Sequence, residues 1–114
     1  MKTQYAEQRA LRDVRRGVAL LGVAEESLAG RRFSVEGVRV EALAFRDLAL
    51  LIRPLRAADV AHAGEAAWMA HAGHVQRRLC DRLAVKAALL PAKTGTIFAS
   101  SSELDAAARQ SHGR

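Results

Sequence analysis

Two apolar runs stand almost head to tail in the middle of this chain, and the gap between them constrains the rest of the fold. Val38-Arg39-Val40-Glu41-Ala42-Leu43-Ala44-Phe45 opens with alternation: Val38, Val40 and Ala42 fall on one side, Arg39 and Glu41 on the other. A period of two is that of a strand, and one polar side marks it as half-exposed. Phe45-Arg46-Asp47 makes a turn. Leu48 to Leu55, LALLIRPL, is a second apolar run whose Arg53 and Pro54 mark its end, because proline cannot donate to a central ladder. So short a link leaves no room for a crossover, so the two strands pair as an antiparallel hairpin.

The flanking segments extend this sheet. Val18-Ala19-Leu20-Leu21-Gly22-Val23 has no polar residue; its length and glycines predict a strand covered on both faces. Glu25 to Ser34 is polar, contains Gly30, and reads as a loop. From Ala57 the period changes. Trp68, Ala72, Val75, Leu79 and Leu83 share one helical stripe, while His71, His74, Arg77, Arg78, Asp81 and Arg82 fall largely on the other side. This predicts a helix from about Glu65 to Ala84, with Gly64 separating a short first turn from it. Arg77 and Asp81, four apart, have the spacing of an ion pair.

Val85 to Ala92 reads as another strand, with Pro91 placing its end at an edge or bulge. Gly95 supplies a permissive turn position. Ser101 or Ser102 caps a short helix over Glu103 to Gln110. The expected architecture is α+β: a small, mostly antiparallel sheet with helices on one face, a ferredoxin-like or split βαβ variant. Val85–Ala92 and Leu48–Leu55 are its candidate edge strands.

At 114 residues the chain has length for one domain. The expected division is a basic, helix-forming segment over residues 1–16 with Ala10, Leu11 and Val14 as a weak apolar stripe, one α+β domain over 17–111, and a frayed tail over 112–114. Half of the net charge of +6 sits in the first segment, where Lys2, Arg9, Arg12, Arg15 and Arg16 face Glu7 and Asp13. Such an end attracts nucleic acid, a membrane surface or an acidic partner, or simply keeps the chain soluble. The single cysteine, Cys80, fits a reducing, cytosolic setting. The first residues lack the apolar stretch of a leader peptide, and no apolar run approaches the roughly 20 residues that cross a bilayer, so no membrane partner is expected.

No constellation for chemistry stands out. His71 and His74 are three apart, but Cys80 lies six residues beyond His74 and off their face, so no metal site is expected. Ser100, Ser101 and Ser102 lack the elbow of a serine nucleophile, and capping explains them. Lys93-Thr94-Gly95-Thr96 lacks the first glycine of a phosphate loop and has its lysine on the wrong side; a tight turn is the economical reading. Cys80, beside the apolar stripe, reads as a small buried residue. The expectation is a chain with no catalytic residue and no cofactor. Arg77, Arg78 and Arg82 form a basic ridge on the long helix, which suits solvent, an acidic protein or phosphate.

One stretch is more specific. Leu90-Pro91-Ala92-Lys93-Thr94-Gly95-Thr96-Ile97-Phe98 is similar to the Leu-Pro-x-Arg-Phe-Gly-Thr-Val-Phe signature of the gas vesicle GvpL/GvpF family. Asp47-Leu48-Ala49-Leu50-Leu51-Ile52 stands where that family has an Asp-Leu-Ala-Ala-Leu segment, and His74-Val75 where it has a helix histidine. The region from about Gly17 to Ala108 thus resembles the family's N-terminal domain. Lys93 stands for the arginine and Thr94 for the aromatic residue, and Val18–Val23 lacks the family's aromatic strand start. The resemblance implies a non-enzymatic, cytoplasmic, gas-vesicle-associated assembly factor. Its partners would be the small apolar shell protein and other gas vesicle accessory proteins, held through a sheet edge or an apolar face. The residues it implicates are Leu90, Pro91, Lys93, Gly95, Thr96, Phe98, His74, Arg77 and Arg78. The alternative is a small basic nucleic-acid-binding or regulatory domain acting through residues 1–16; self-association through a sheet edge is a third reading.

Overall fold

The apolar runs assemble into one six-stranded sheet in the computed structural model of the protein, which describes residues 17–112. The basic segment over 1–16 and its expected helix lie outside the described residues. In chain order the elements are β1 (Val18–Glu25), a 3-10 turn (Glu26–Leu28), β2 (Arg32–Val35), β3 (Val38–Phe45), β4 (Leu48–Pro54), α1 (Ala57–His62), α2 (Ala66–Ala84), β5 (Leu89–Pro91), β6 (Ile97–Phe98) and α3 (Ser101–His112). The strands lie in the order β2-β3-β4-β1-β5, and β6 also pairs with β1. Every pairing is antiparallel. The α+β class and the antiparallel sheet are therefore those expected.

The expected hairpin is β3–β4, with Phe45 opposite Leu48 across the Arg46-Asp47 turn. β4 and β5 both run antiparallel to β1 and flank it. They are thus parallel to each other, and the α1–α2 connection between them makes a split βαβ unit. β5-β1-β4-β3 is the strand set of a ferredoxin-like sheet in which the 3-10 turn and β2 replace the helix after β1. β4 is central rather than an edge, which corrects the expectation for Leu48–Leu55. β2 also corrects the loop read over Glu25 to Ser34: Phe33 and Val35 alternate with Arg32 and Ser34 against β3.

Alternation along the strands builds two cores. Ala49 and Leu51 of β4 join Leu21, Val40, Val75, Leu79 and Leu83 on the α2 side. Leu50 and Ile52 join Val18, Phe45 and Leu104 on the other. α2 takes the first face with the stripe read from the sequence, while α3 lies on the second. The helices are thus divided between the two faces rather than gathered on one. The physical cause is β4, which is apolar on both sides and must be covered on both. A β-bulge in β1 adjusts the phase: Leu20 faces Ile52 and Gly22 faces Leu51, with Leu21 the extra residue. Leu20 and Val23 consequently share the α3 face, and Leu21 and Ala24 the α2 face.

Trp68 does not enter the core as its place on the stripe suggests. It is half-buried, with the buried Arg53 guanidinium 5.4 Å from its ring centroid. Asp59 joins them: Oδ1 lies 3.5 Å from the Arg53 guanidinium and accepts from Trp68 Nε1 at 3.3 Å, while Oδ2 accepts the Arg56 backbone N–H at 3.1 Å. A buried guanidinium needs such partners, and here they fasten the start of both helices to β4. Among the described residues no helix is long and apolar enough to cross a membrane.

Candidate docking face

The Leu90–Phe98 segment forms one interrupted edge strand alongside β1. Leu89–Pro91 pairs with Gly22–Ala24, Ile97–Phe98 pairs with Val18–Ala19, and the chain bulges outward between them. Ala92 N–H donates to the Leu21 carbonyl at 3.0 Å, and Leu20 N–H donates to the Thr96 carbonyl at 2.9 Å. The strand expected over Val85–Ala92 therefore shortens to β5 and resumes as β6. In the bulge Gly95 has φ +89°, and a Cβ there would stand 2.9 Å from Met69 Cε. Thr96 turns its hydroxyl back onto the Lys93 carbonyl at 2.6 Å.

Sequence reasoning missed the residue that holds this break in place. Gln76 of α2 is buried and donates through Nε2 to the Leu21 carbonyl at 2.8 Å and to the Ala92 carbonyl, while its Oε1 accepts from Thr94 Oγ1 at 2.6 Å. One side chain thus ties the bulge of β1, the end of β5 and the following turn to the helix. The available signal was a lone polar residue beside Ala72, Val75, Leu79 and Leu83. Gln76→Leu keeps most of the volume but takes the bonding partner from buried carbonyls, each costing about 1–3 kcal/mol if left unpaired. The expected result is a lowered urea midpoint together with faster amide exchange at Ala92 and Thr96.

The residues implicated by the resemblance divide into separate groups. His74 and Arg78 are turned to the β2–β3 turn, where Glu36 lies 3.7 Å from His74 Nε2 and 3.3 Å from Arg78 Nε. Arg82 continues that row by donating to the Ser34 carbonyl at 2.9 Å. Arg77 borders a shallow groove with Pro91, Ala92 and Thr94 instead, and it does not pair with Asp81. Cys80 borders the same groove; burial, and next the Asp81 carboxylate, push its thiol pKa up. Lys93 and Gly95 are exposed at the bulge. Leu90 and Phe98 belong to the α3 face: Leu90 is 72% exposed beside its cross-strand partner Val23, and Phe98 packs against the second core.

That face carries an open apolar groove of about 380 Å³. β1 supplies Leu20 and Val23; Phe45, Leu48 and Leu50 come from the hairpin, and Phe98 from the edge strand. α3 closes one side with Leu104, Ala107 and Ala108. Leu104 is fully buried, but the alanines are too short to fill the space beside it. The helix starts where its capping residues place it: Ser100 Oγ accepts the Glu103 N–H at 3.2 Å, and Glu103 accepts the Ala99 N–H at 3.0 Å. Ser100, rather than Ser101 or Ser102, is thus the cap. The groove is lined by apolar side chains, and Leu90 extends its surface to the sheet edge.

Among the described residues no three His, Cys, Asp or Glu side chains gather as metal ligands. Compared with protein-family models, with curated proteins and with solved structures, the chain matches none.

Proposed function

We propose that this chain is an accessory protein of gas vesicle assembly that holds the small apolar shell protein in the groove beside α3. The partner's identity rests on the resemblance of Leu90–Phe98, Asp47–Ile52 and His74-Val75. The mode of binding rests on one observation, the apolar face that α3 covers only in part. A shell subunit before incorporation has apolar surface to shield, and an apolar groove meets an apolar helix or strand face by excluding water from both.

The sheet edges are poorer candidates. At β2, Arg82 already occupies the Ser34 carbonyl. At β5, Ala92 N–H and the Leu90 carbonyl point toward β1. Leu89 and Pro91 therefore present the outward groups, and proline has no N–H to offer. An added strand finds one donor there.

Purified chain and shell protein should co-elute, and the association should persist as salt rises because its driving force is apolar. Val23→Asp places a charge in the half-buried groove without touching the α2 core. It should weaken the association about tenfold or more, a cost of about 1.4 kcal/mol or above. No association at any salt, or equal affinity for Val23→Asp, would remove the proposal. The second reading, nucleic-acid binding, is favoured by the +3 charge of the first 16 residues. It predicts binding that falls steeply with salt and disappears when Arg9, Arg12, Arg15 and Arg16 are neutralised together.

A further inference from the structure

We infer that the shallow groove between α2 and the edge strand is a binding site for a free α-amino acid with a small aliphatic side chain. α2 contributes Gly73, Arg77, Cys80 and Asp81 to its border, and the edge contributes Pro91, Ala92 and Thr94, around a space of about 440 Å³. A pair of opposite charges carries the argument. Arg77 and Asp81 are both exposed on this groove, and among the described residues neither has an ion-pair partner. Four apart, they are neighbours on the helix surface, but base before acid is the weaker order for pairing along a helix. Two unlike charges left open side by side match a ligand that carries both on one carbon. The planar guanidinium of Arg77 receives a carboxylate through paired N–H groups, and the Asp81 carboxylate accepts from an ammonium group. A phosphate or a dicarboxylate would bring surplus negative charge against Asp81, and a simple amine would meet Arg77, so the pair selects the zwitterion.

Gly73 is the second observation. It stands in the interior of α2, where glycine is a weaker helix former than alanine. Packing does not require it: a Cβ built there would meet nothing nearer than Thr94 at 4.0 Å, an ordinary contact. A methyl group at this position would instead fill part of the groove, so its absence opens the helix backbone to a ligand. The facing wall is fixed before anything binds. Thr94 donates its hydroxyl to Gln76 Oε1 at 2.6 Å, and Gln76 Nε2 holds the Ala92 carbonyl. A wall already in place costs little to order on binding. Pro91, Ala92 and the half-buried Cys80 offer apolar contact of small extent, which sets the size of the ligand's side chain.

The site is separate from the groove beside α3 and independent of the shell protein. The test uses the full chain, with L-alanine and L-valine as probes. In an NMR titration the amide signals of Gly73, Arg77 and Thr94 should shift and saturate at millimolar amino acid. Alkylation of Cys80, the single cysteine, by N-ethylmaleimide should slow over the same range. N-Acetylalanine and alaninamide each lack one charge and should bind about tenfold more weakly or worse, as should L-alanine to Arg77→Gln and to Asp81→Asn. Gly73→Ala should raise the urea midpoint while binding several-fold more weakly, a combination that a glycine serving only the fold does not give. No saturable shift with either amino acid would overturn the inference. So would equal binding of either blocked analogue, or an affinity unchanged in Gly73→Ala.

Discussion

Leu51→Ala is expected to destabilise the domain by about 2–5 kcal/mol, the range for removing a fully buried leucine. Leu51 has no exposed surface and lies in β4 between β3 and β1. Its side chain is surrounded by the core beneath α2, so the sheet cannot close over the space left. Urea unfolding followed by the fluorescence of Trp68, the single tryptophan, reads the loss. Leu48→Ala is the companion measurement. Leu48 is on the same strand but is half-buried at the open groove, where a lost side chain leaves less of a cavity. A clearly smaller loss for Leu48→Ala is expected; equal losses would contradict the division of β4 into a closed and an open face.

The second large effect is expected at Gly22. A Cβ there would stand 2.9 Å from the Leu90 carbonyl and 3.1 Å from Leu89 Cδ1. The nearest obstacle is backbone, so it yields only if β5 moves away from β1. Gly22→Val therefore costs about 1–3 kcal/mol or more as an overpacked site, and the loss is local in origin. Amide exchange at Leu90 and Ala92, whose N–H groups face β1, should accelerate far more than at Leu43 or Leu50 in the β3–β4 pair. Uniform acceleration across the sheet would show instead that β5 is not a separable unit. The same contact explains the glycine: the edge strand approaches β1 too closely for any side chain at this position.

Local patterns carried much of the fold before any coordinates. The β3–β4 hairpin was legible because Val38, Val40 and Ala42 alternate with charges and the link is two residues long. The α2 stripe was legible because Ala72, Val75, Leu79 and Leu83 all reach the core. What failed involved partners distant in sequence. Trp68 shares the stripe but is claimed by Arg53 and Asp59. β2 was hidden because Arg32 and Ser34 give a polar composition, although Phe33 and Val35 keep strand period. The bulge at Leu21 cannot be read from a local run, since it exists only in the register between β1 and β4.

The candidate docking face was legible in part for the same reason. Leu90 and Phe98 were singled out from a linear motif, and both belong to the α3 side. His74 and Arg78 were singled out with them, yet they serve the β2–β3 turn through Glu36. The groove itself depends on where α3 lands. Ala107 and Ala108 acquire meaning only once they stand opposite Leu20 and Leu50, and Gln76 only once three separate segments converge on it.

The guarded rims of the sheet carry a consequence for self-association. An open strand of matching length would invite copy after copy to stack on it and turn the domain into the seed of a fibre. An arginine stationed at one border and a proline at the other each remove a bonding group that such growth would use.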